Sequence, residues 1–206
     1  DHPRLFPRCG YGRLHQQAFY QGRFGKRTQA VQRPLSVDRL RKSPLGLPDS
    51  IMKFEHLIQI NDSKAWGIEP LSRQQLWLGL VARAWYPTKF VLGLEQAEVL
   101  TQTLDGKTQL LTRKLDFGAF HFEDEVQLIE EDRTINRIRN QQACPDSTLT
   151  IAIEEPQSGD LFLRFTYEIS ETGDQITPDG VSLAQLNEVR RQAYLAADID
   201  TVKMIR

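Results

Sequence analysis

Residues 110–128, LLTRKLDFGAFHFEDEVQL, put charges where an apolar pattern is otherwise kept. In a strand, successive side chains alternate between faces. That rule sets Leu111, Arg113, Leu115 and Phe117 on one face of a first strand, and Phe120, Phe122, Asp124, Val126 and Leu128 on one face of the next. An unpaired charge on a core-facing surface costs several kcal/mol or more. Arg113 and Asp124 therefore imply either a buried ion pair or a polar spot that orients a small molecule in an apolar pocket. His56 shares its face with Phe54, Ile58 and Ile60, and histidine is the side chain best suited to proton transfer near neutral pH. His121 falls on the face opposite Phe120 and Phe122, toward solvent.

Other residues with chemistry to offer are mostly aromatic. Trp77, Trp85, Phe117, Phe120, Phe122, Phe165, Tyr167 and Tyr194 could line a pocket, with the tyrosine hydroxyls as ligand donors, or could simply fill a core. Asp198 and Asp200 stand two apart on a helical stretch and diverge too far to act as a carboxylate pair; one of them can face inward to meet Arg113 or another cation. Alternation splits Glu123, Asp124 and Glu125 between faces, so that run makes no metal site. The chain has no GxSxG elbow, P-loop, GxGxxG turn or HExxH helix.

The elements that must position these residues follow from pattern. FEHLIQI (54–60) alternates as a strand. LSRQQLWLGLVARAWYP then carries a capping-box spacing, Ser72 with Gln75 three residues on, and stops at Pro87. Leu76, Trp77, Leu80, Val81 and Ala84 fall on one face of that helix. Six strand candidates follow, AEVLTQTL, TQLLTRKLDF, AFHFEDEVQLI, TINRIRNQ, STLTIAIEE and LFLRFTYEIS, with DGK at 105–107 and SGD at 158–160 as hairpin signals. VSLAQLNEVRRQAYLAADIDTVKMIR closes the chain as one long helix. The order of strand, helix, about six strands and long helix predicts an α+β domain with one curved antiparallel sheet covered by that helix.

Charge divides the 206 residues in two. Residues 1–51 hold ten Lys/Arg against three Asp/Glu, which leaves sixteen against twenty-four in Met52–Arg206. The acidic main domain is poorly suited to gripping phosphate backbones and argues against a nucleic-acid partner. The basic leader lacks a sustained period and is expected to be disordered, an upstream extension to the domain at 52–206. Cys9 and Cys144 form no CxxC and have no nearby histidine, so neither a disulfide scaffold nor a metal site is expected, and no cofactor is implied. No stretch is long enough for a membrane span, and a reducing cytoplasm is the default location.

Five blocks together resemble a known family: MKFEHLIQIND (52–62), LSRQQLWLGLVARA (71–84), LDFGAFHFEDEV (115–126), LTIAIEEP with LFLRFTYE (149–168) and YLAADIDTVKMIR (194–206). They are similar to the AtaL-like family of the START/SRPBCC superfamily. The resemblance implies a helix-grip fold: a curved antiparallel sheet of six to seven strands wrapped around a long C-terminal helix, with a hydrophobic cavity between them. It also implies a hydrophobic or amphipathic small molecule as partner; in such a cavity Arg113, with Tyr167 or His56, is expected to orient the polar end of the ligand. The alternative is a polyketide cyclase or dehydratase type of enzyme that uses His56, Asp124 or a tyrosine as its acid-base group. A domain that binds protein partners through an outer sheet face or edge is a third reading, and a homodimer is compatible with each.

Overall fold

The computed structural model describes residues 50–61, 69–141, 144–171 and 182–206; residues 1–49 of the leader, with Cys9, and Val181, at which the last helix was expected to begin, lie outside them. Seven strands form one antiparallel sheet: β1 (Ser50–Gln59), β2 (Gln96–Asp105), β3 (Thr108–Asp116), β4 (His121–Ile129), β5 (Arg133–Ile138), β6 (Ser147–Glu154) and β7 (Phe162–Glu171). Their spatial order is β1-β7-β6-β5-β4-β3-β2. Consecutive strands β2 to β7 are hairpin neighbours, and β1 joins the far edge beside β7. Two of the hairpin signals work through backbone freedom: Gly106 and Gly159 hold φ of 58° and 88°, a region that suits glycine. Pairing of β1 with β7 includes Ser50 and Ile51, which stand before the expected boundary at Met52.

Helix α1 (Arg73–Trp85) starts at the capping box expected from its sequence, with the Ser72 hydroxyl accepting from the Gln75 N–H and the Gln75 side chain accepting from the Ser72 N–H. Such a cap contributes about 1 kcal/mol. Helix α2 (Leu183–Ile205) opens on a second capping box, Ser182 with Gln185. The two helices touch at Gly79, where an added Cβ would stand 2.4 Å from Ile205 Cγ2. Glycine there is what lets the helices approach. A short 3₁₀ turn, Pro87–Lys89, leads from α1 into β2.

The inner face of the sheet carries the core. One row of register partners runs Phe54, Tyr167, Leu149, Asn136, Val126 and Leu111 across six strands. The next runs His56, Phe165, Ile151, Thr134 and Leu128. Leu76, Trp77, Leu80 and Ala84 of α1 and Tyr194 and Val202 of α2 close over these rows. The outer face is polar: Arg164 of β7 donates to Glu55 at 2.6 Å and to Glu154 at 2.5 Å. Arg73 ties the start of α1 to the sheet by donating from Nε to the Glu131 carbonyl at 2.9 Å and from Nη2 to the Ile153 carbonyl at 3.3 Å. The chain's last residue is tied down as well, Arg206 donating to the Ile60 carbonyl.

Candidate functional site

Arg113 and Asp124 are register partners on β3 and β4, and both are buried. The guanidinium donates from Nε to Oδ1 at 2.9 Å and from Nη2 to Oδ2 at 2.5 Å, a two-point fork. Its third contact, Nη1 to the Ala84 carbonyl at 2.6 Å, caps the last turn of α1. The pair is thus a clamp between sheet and helix, with its charges spent on each other. Asp198 is not its partner, contrary to one expectation above.

Asp198 sits instead on the inward face of α2, 2% exposed, above β1 and β7. Its carboxylate accepts from the Tyr167 hydroxyl at 2.8 and 3.0 Å. His56 Nε2 stands 3.0 Å from Asp198 Oδ2, at ion-pair distance but off the line of a well-formed hydrogen bond. Asp200, two residues on, faces solvent and pairs with Lys203 at 2.8 Å. Helical geometry alone separates the two carboxylates.

Stacked rings wall this cluster. His56 lies against Phe165 at 5.2 Å with an interplanar angle of 8°, and Tyr167 against Tyr194 at 4.2 Å and 3°. Phe54 stacks on Tyr167 at 6.1 Å and on Tyr194 at 6.4 Å. Arg83 completes the group from α1. Its charge acts on both Asp198 and Tyr167, part of its surface stays accessible, and its Nε is shut off from solvent.

The electrostatics follow from that enclosure. Burial pushes the Asp198 carboxyl above its ordinary value, while His56, Tyr167 and Arg83 pull in the opposite sense. Burial, then the neighbouring Asp198, holds the Tyr167 phenol well above its usual range. Tyr194 is raised chiefly by burial, and Arg83 is lowered by burial against the attraction of Asp198. Both phenols therefore stay protonated, and Tyr167 donates to Asp198. Cys144 lies away from this group, and its thiol is pushed up to about 11 by burial and by Asp146, which leaves little reactive thiolate near neutral pH.

Four polar atoms between the sheet and the helices are closed to solvent and lack a well-formed hydrogen bond: both ring nitrogens of His56, Arg83 Nε and Asn136 Oδ1, of which His56 Nε2 alone has Asp198 at ion-pair distance. Neither Arg83 nor Asn136 stood out in the sequence. Arg83 follows Leu76 and Leu80 at helical spacing, and Asn136 alternates with Thr134 and Ile138 on the inner face. The remaining aromatic candidates split by location. Phe117, Phe120 and Phe122 stack among themselves at 5.2–6.3 Å in a separate small core with Leu94 and Leu115, whereas Trp77 belongs to the main core and Trp85 packs half-buried against it. His121 is exposed.

Residues 58–206 match the family model described as acetylaranotin biosynthesis cluster protein L, AtaL. The chain belongs to the AtaL family. In three dimensions this AtaL-family chain is similar to the di-domain ARO/CYC StfQ from the steffimycin biosynthetic pathway, at TM-score 0.53 and 9% identity over 76% of this chain and 50% of that one. The di-domain ARO/CYC BexL from the BE-7585A biosynthetic pathway gives TM-score 0.53 and 12% identity over 77% and 50%. A Thalictrum flavum norcoclaurine synthase point mutant in complex with a transition-state analogue gives 0.50 and 12% over 78% and 97%. The chain spans about half the length of the two di-domain proteins. These likenesses establish the helix-grip fold that the sequence blocks implied. Comparison with curated proteins finds no match by sequence.

Among the described residues no three His, Cys, Asp or Glu side chains gather as a metal site. No described helix is long and apolar enough to cross a membrane. A cleft of about 190 Å³ beside Thr112, Glu125, Arg137 and Arg139 lies on the outer face of the sheet, away from the His56–Asp198 group.

Proposed function

We propose that the space between the inner sheet face and the two helices binds a hydrophobic or amphipathic small molecule. The observation that carries this reading is the middle of the inner face. Phe54, Leu149 and Asn136 occupy one row there, yet all three stay half-buried, and the row holds an unpartnered Asn136 Oδ1. A buried polar atom without a partner costs about 1–3 kcal/mol, so His56 Nδ1, Arg83 Nε and Asn136 Oδ1 are more economically explained as groups awaiting a ligand than as core. The apolar walls would supply most of the binding energy, at about 25 cal/mol per Å² of apolar surface buried. Orientation would fall to the three open polar atoms, with Arg113 contributing through the clamp that holds α1.

The reading is tested by titrating the full chain with the neutral fluorescent probe N-phenyl-1-naphthylamine, alongside native mass spectrometry of gently purified protein. Saturable probe fluorescence, lost on filling the space with Asn136→Trp, is the expected result. An absence of probe binding together with a bare protein mass would count against any interior ligand site.

A second reading is favoured by the His56–Asp198 contact. Asp198 stands 3.0 Å from His56 Nε2, so a modest turn of the ring would complete that bond and hold Nδ1, which has no partner, as a proton acceptor, the arrangement of a general base. On that reading the site acts on its small molecule in the manner of a cyclase or dehydratase. Asp124 is unsuited to the role because Arg113 occupies both of its oxygens. Turnover of a bound compound that disappears in His56→Gln while probe binding persists would favour the enzyme.

A further inference from the structure

Taking the ligand-binding reading as its basis, we infer that the bound molecule presents an uncharged oxygen head, a hydroxyl or carbonyl, to the Arg83–Asp198–His56 group and not a carboxylate, phosphate or ammonium. The charge count around the group leads there. Arg83 carries one positive charge and Asp198 one negative, and their fields act on each other inside the fold. The imidazole of His56 in its neutral form adds no charge, so the group sums to zero. Arg113 and Asp124 cancel in their own clamp. Arg190, buried on α2, has partners of its own, including Asn187 at 2.9 Å, and Arg191 is exposed to solvent although it lies over Phe54. Arg83, Asp198 and His56 thus leave no net charge among themselves to offset an ionic head, and the buried Arg190 is turned to Asn187.

The open atoms describe the complement. A carboxylate at 3.0 Å favours the proton on His56 Nε2, so Nδ1 is an acceptor. Arg83 Nε is a donor, and Asn136 Oδ1 is an acceptor. A hydroxyl can donate to Nδ1 or Oδ1 while its lone pairs accept from Nε, and a carbonyl accepts from Nε. A carboxylate can answer only the Arg83 Nε and would bring an unbalanced negative charge beside Asp198. An ammonium can answer only the two acceptors and would stand against Arg83.

Competition at about pH 8 tests this in the full chain, with N-phenyl-1-naphthylamine as the reporter and decan-1-ol, decanoate and decylamine as competitors of equal chain length. The readout is the affinity ratio of decanol to decanoate, followed across variants so that differences in water solubility cancel. Asp198→Asn leaves Arg83 unbalanced and is expected to shift the ratio toward decanoate by about tenfold or more. Arg83→Met leaves Asp198 unbalanced and is expected to shift it the other way, with decylamine gaining. Because the two shifts are opposite in sign, a variant that only loosens the fold cannot mimic the pair. A ratio unchanged in both variants, or decanoate outcompeting decanol in the unaltered protein, overturns the neutral-head inference while ligand binding stands. Failure of the reporter and all three competitors to bind overturns ligand binding itself, and the inference with it.

Discussion

Two polar groups are sunk into the same inner face, and they are finished differently. Around Arg113 and Asp124, both carboxylate oxygens are occupied and the fork's remaining reach is taken up by the Ala84 carbonyl. Around Asp198, Tyr167 is bonded, His56 is close but misaligned, and His56 Nδ1 and Arg83 Nε are left over. Low dielectric makes a completed polar network rigid and an incomplete one costly. The first group is therefore structural, and the second keeps a cost in the free protein that a ligand can recover.

The contrast can be broken at its strongest point. Arg113→Ala strands Asp124 in the interior and should remove about 3–5 kcal/mol of stability, read as a fall in the urea midpoint, whereas Arg113→Met with Asp124→Leu should restore most of it. If the single substitution costs less than about 1 kcal/mol, the clamp is no clamp and the two groups are alike.

Next in size is Tyr167→Phe, which withdraws the hydroxyl that Asp198 accepts. A hydrogen bond to a charged group contributes about 1.5–3 kcal/mol, and a loss in that range is expected by thermal or urea unfolding. Asn136→Leu should have the opposite sign. It removes an acceptor that has no partner from a row of Leu149 and Val126, so the free protein gains about 1 kcal/mol while probe binding weakens. Destabilisation by Asn136→Leu would mean that this amide is already satisfied.

The smallest effect is in pH. Burial raises the Asp198 carboxyl in the folded state, so the folded protein holds that proton more tightly than the unfolded chain does. Its contribution is fully present below the unfolded pKa, near 3.8, and is lost as pH rises through the raised folded value. Stability of Asp198→Asn relative to the unaltered protein should thus be higher at neutral pH than near pH 4. Unfolding midpoints of the two proteins across that window check the sign, and a difference independent of pH would show that Asp198 does not titrate on folding. Glu154, bonded to Arg164 on the outer face, is shifted downward and drives the opposite trend, which subtraction against the variant removes.

Much of this was legible in the chain because strand parity is local. Alternation alone sent Arg113, Asp124 and His56 inward and His121 outward, and the Ser72–Gln75 spacing located the start of α1. Partner choice was not local. Asp198 meets His56 and Tyr167 only because α2 lies over β1 and β7, a relation set by packing between segments far apart in the chain and invisible in any one of them. Arg83 and Asn136 were overlooked for another reason. Their spacing pointed inward, but a cation on a helix and an amide in a polar strand are normally solvated, and only burial without partners separates them from that default. The residues that were hardest to read are those with unfinished bonding, which is where a function would make the sequence depart from good packing.

The central claim, that His56 Nδ1 faces a ligand space, is tested most directly by the ¹⁵N resonances of His56 in the full chain, recorded before and after saturation with decan-1-ol. The expected result is an Nδ1 signal that moves on saturation as it accepts a hydrogen bond from the alcohol's hydroxyl, with the ring proton held on Nε2 beside Asp198. An Nδ1 signal unmoved at saturation, with shifts confined to outer-face residues such as Arg137 and Arg139, would contradict it.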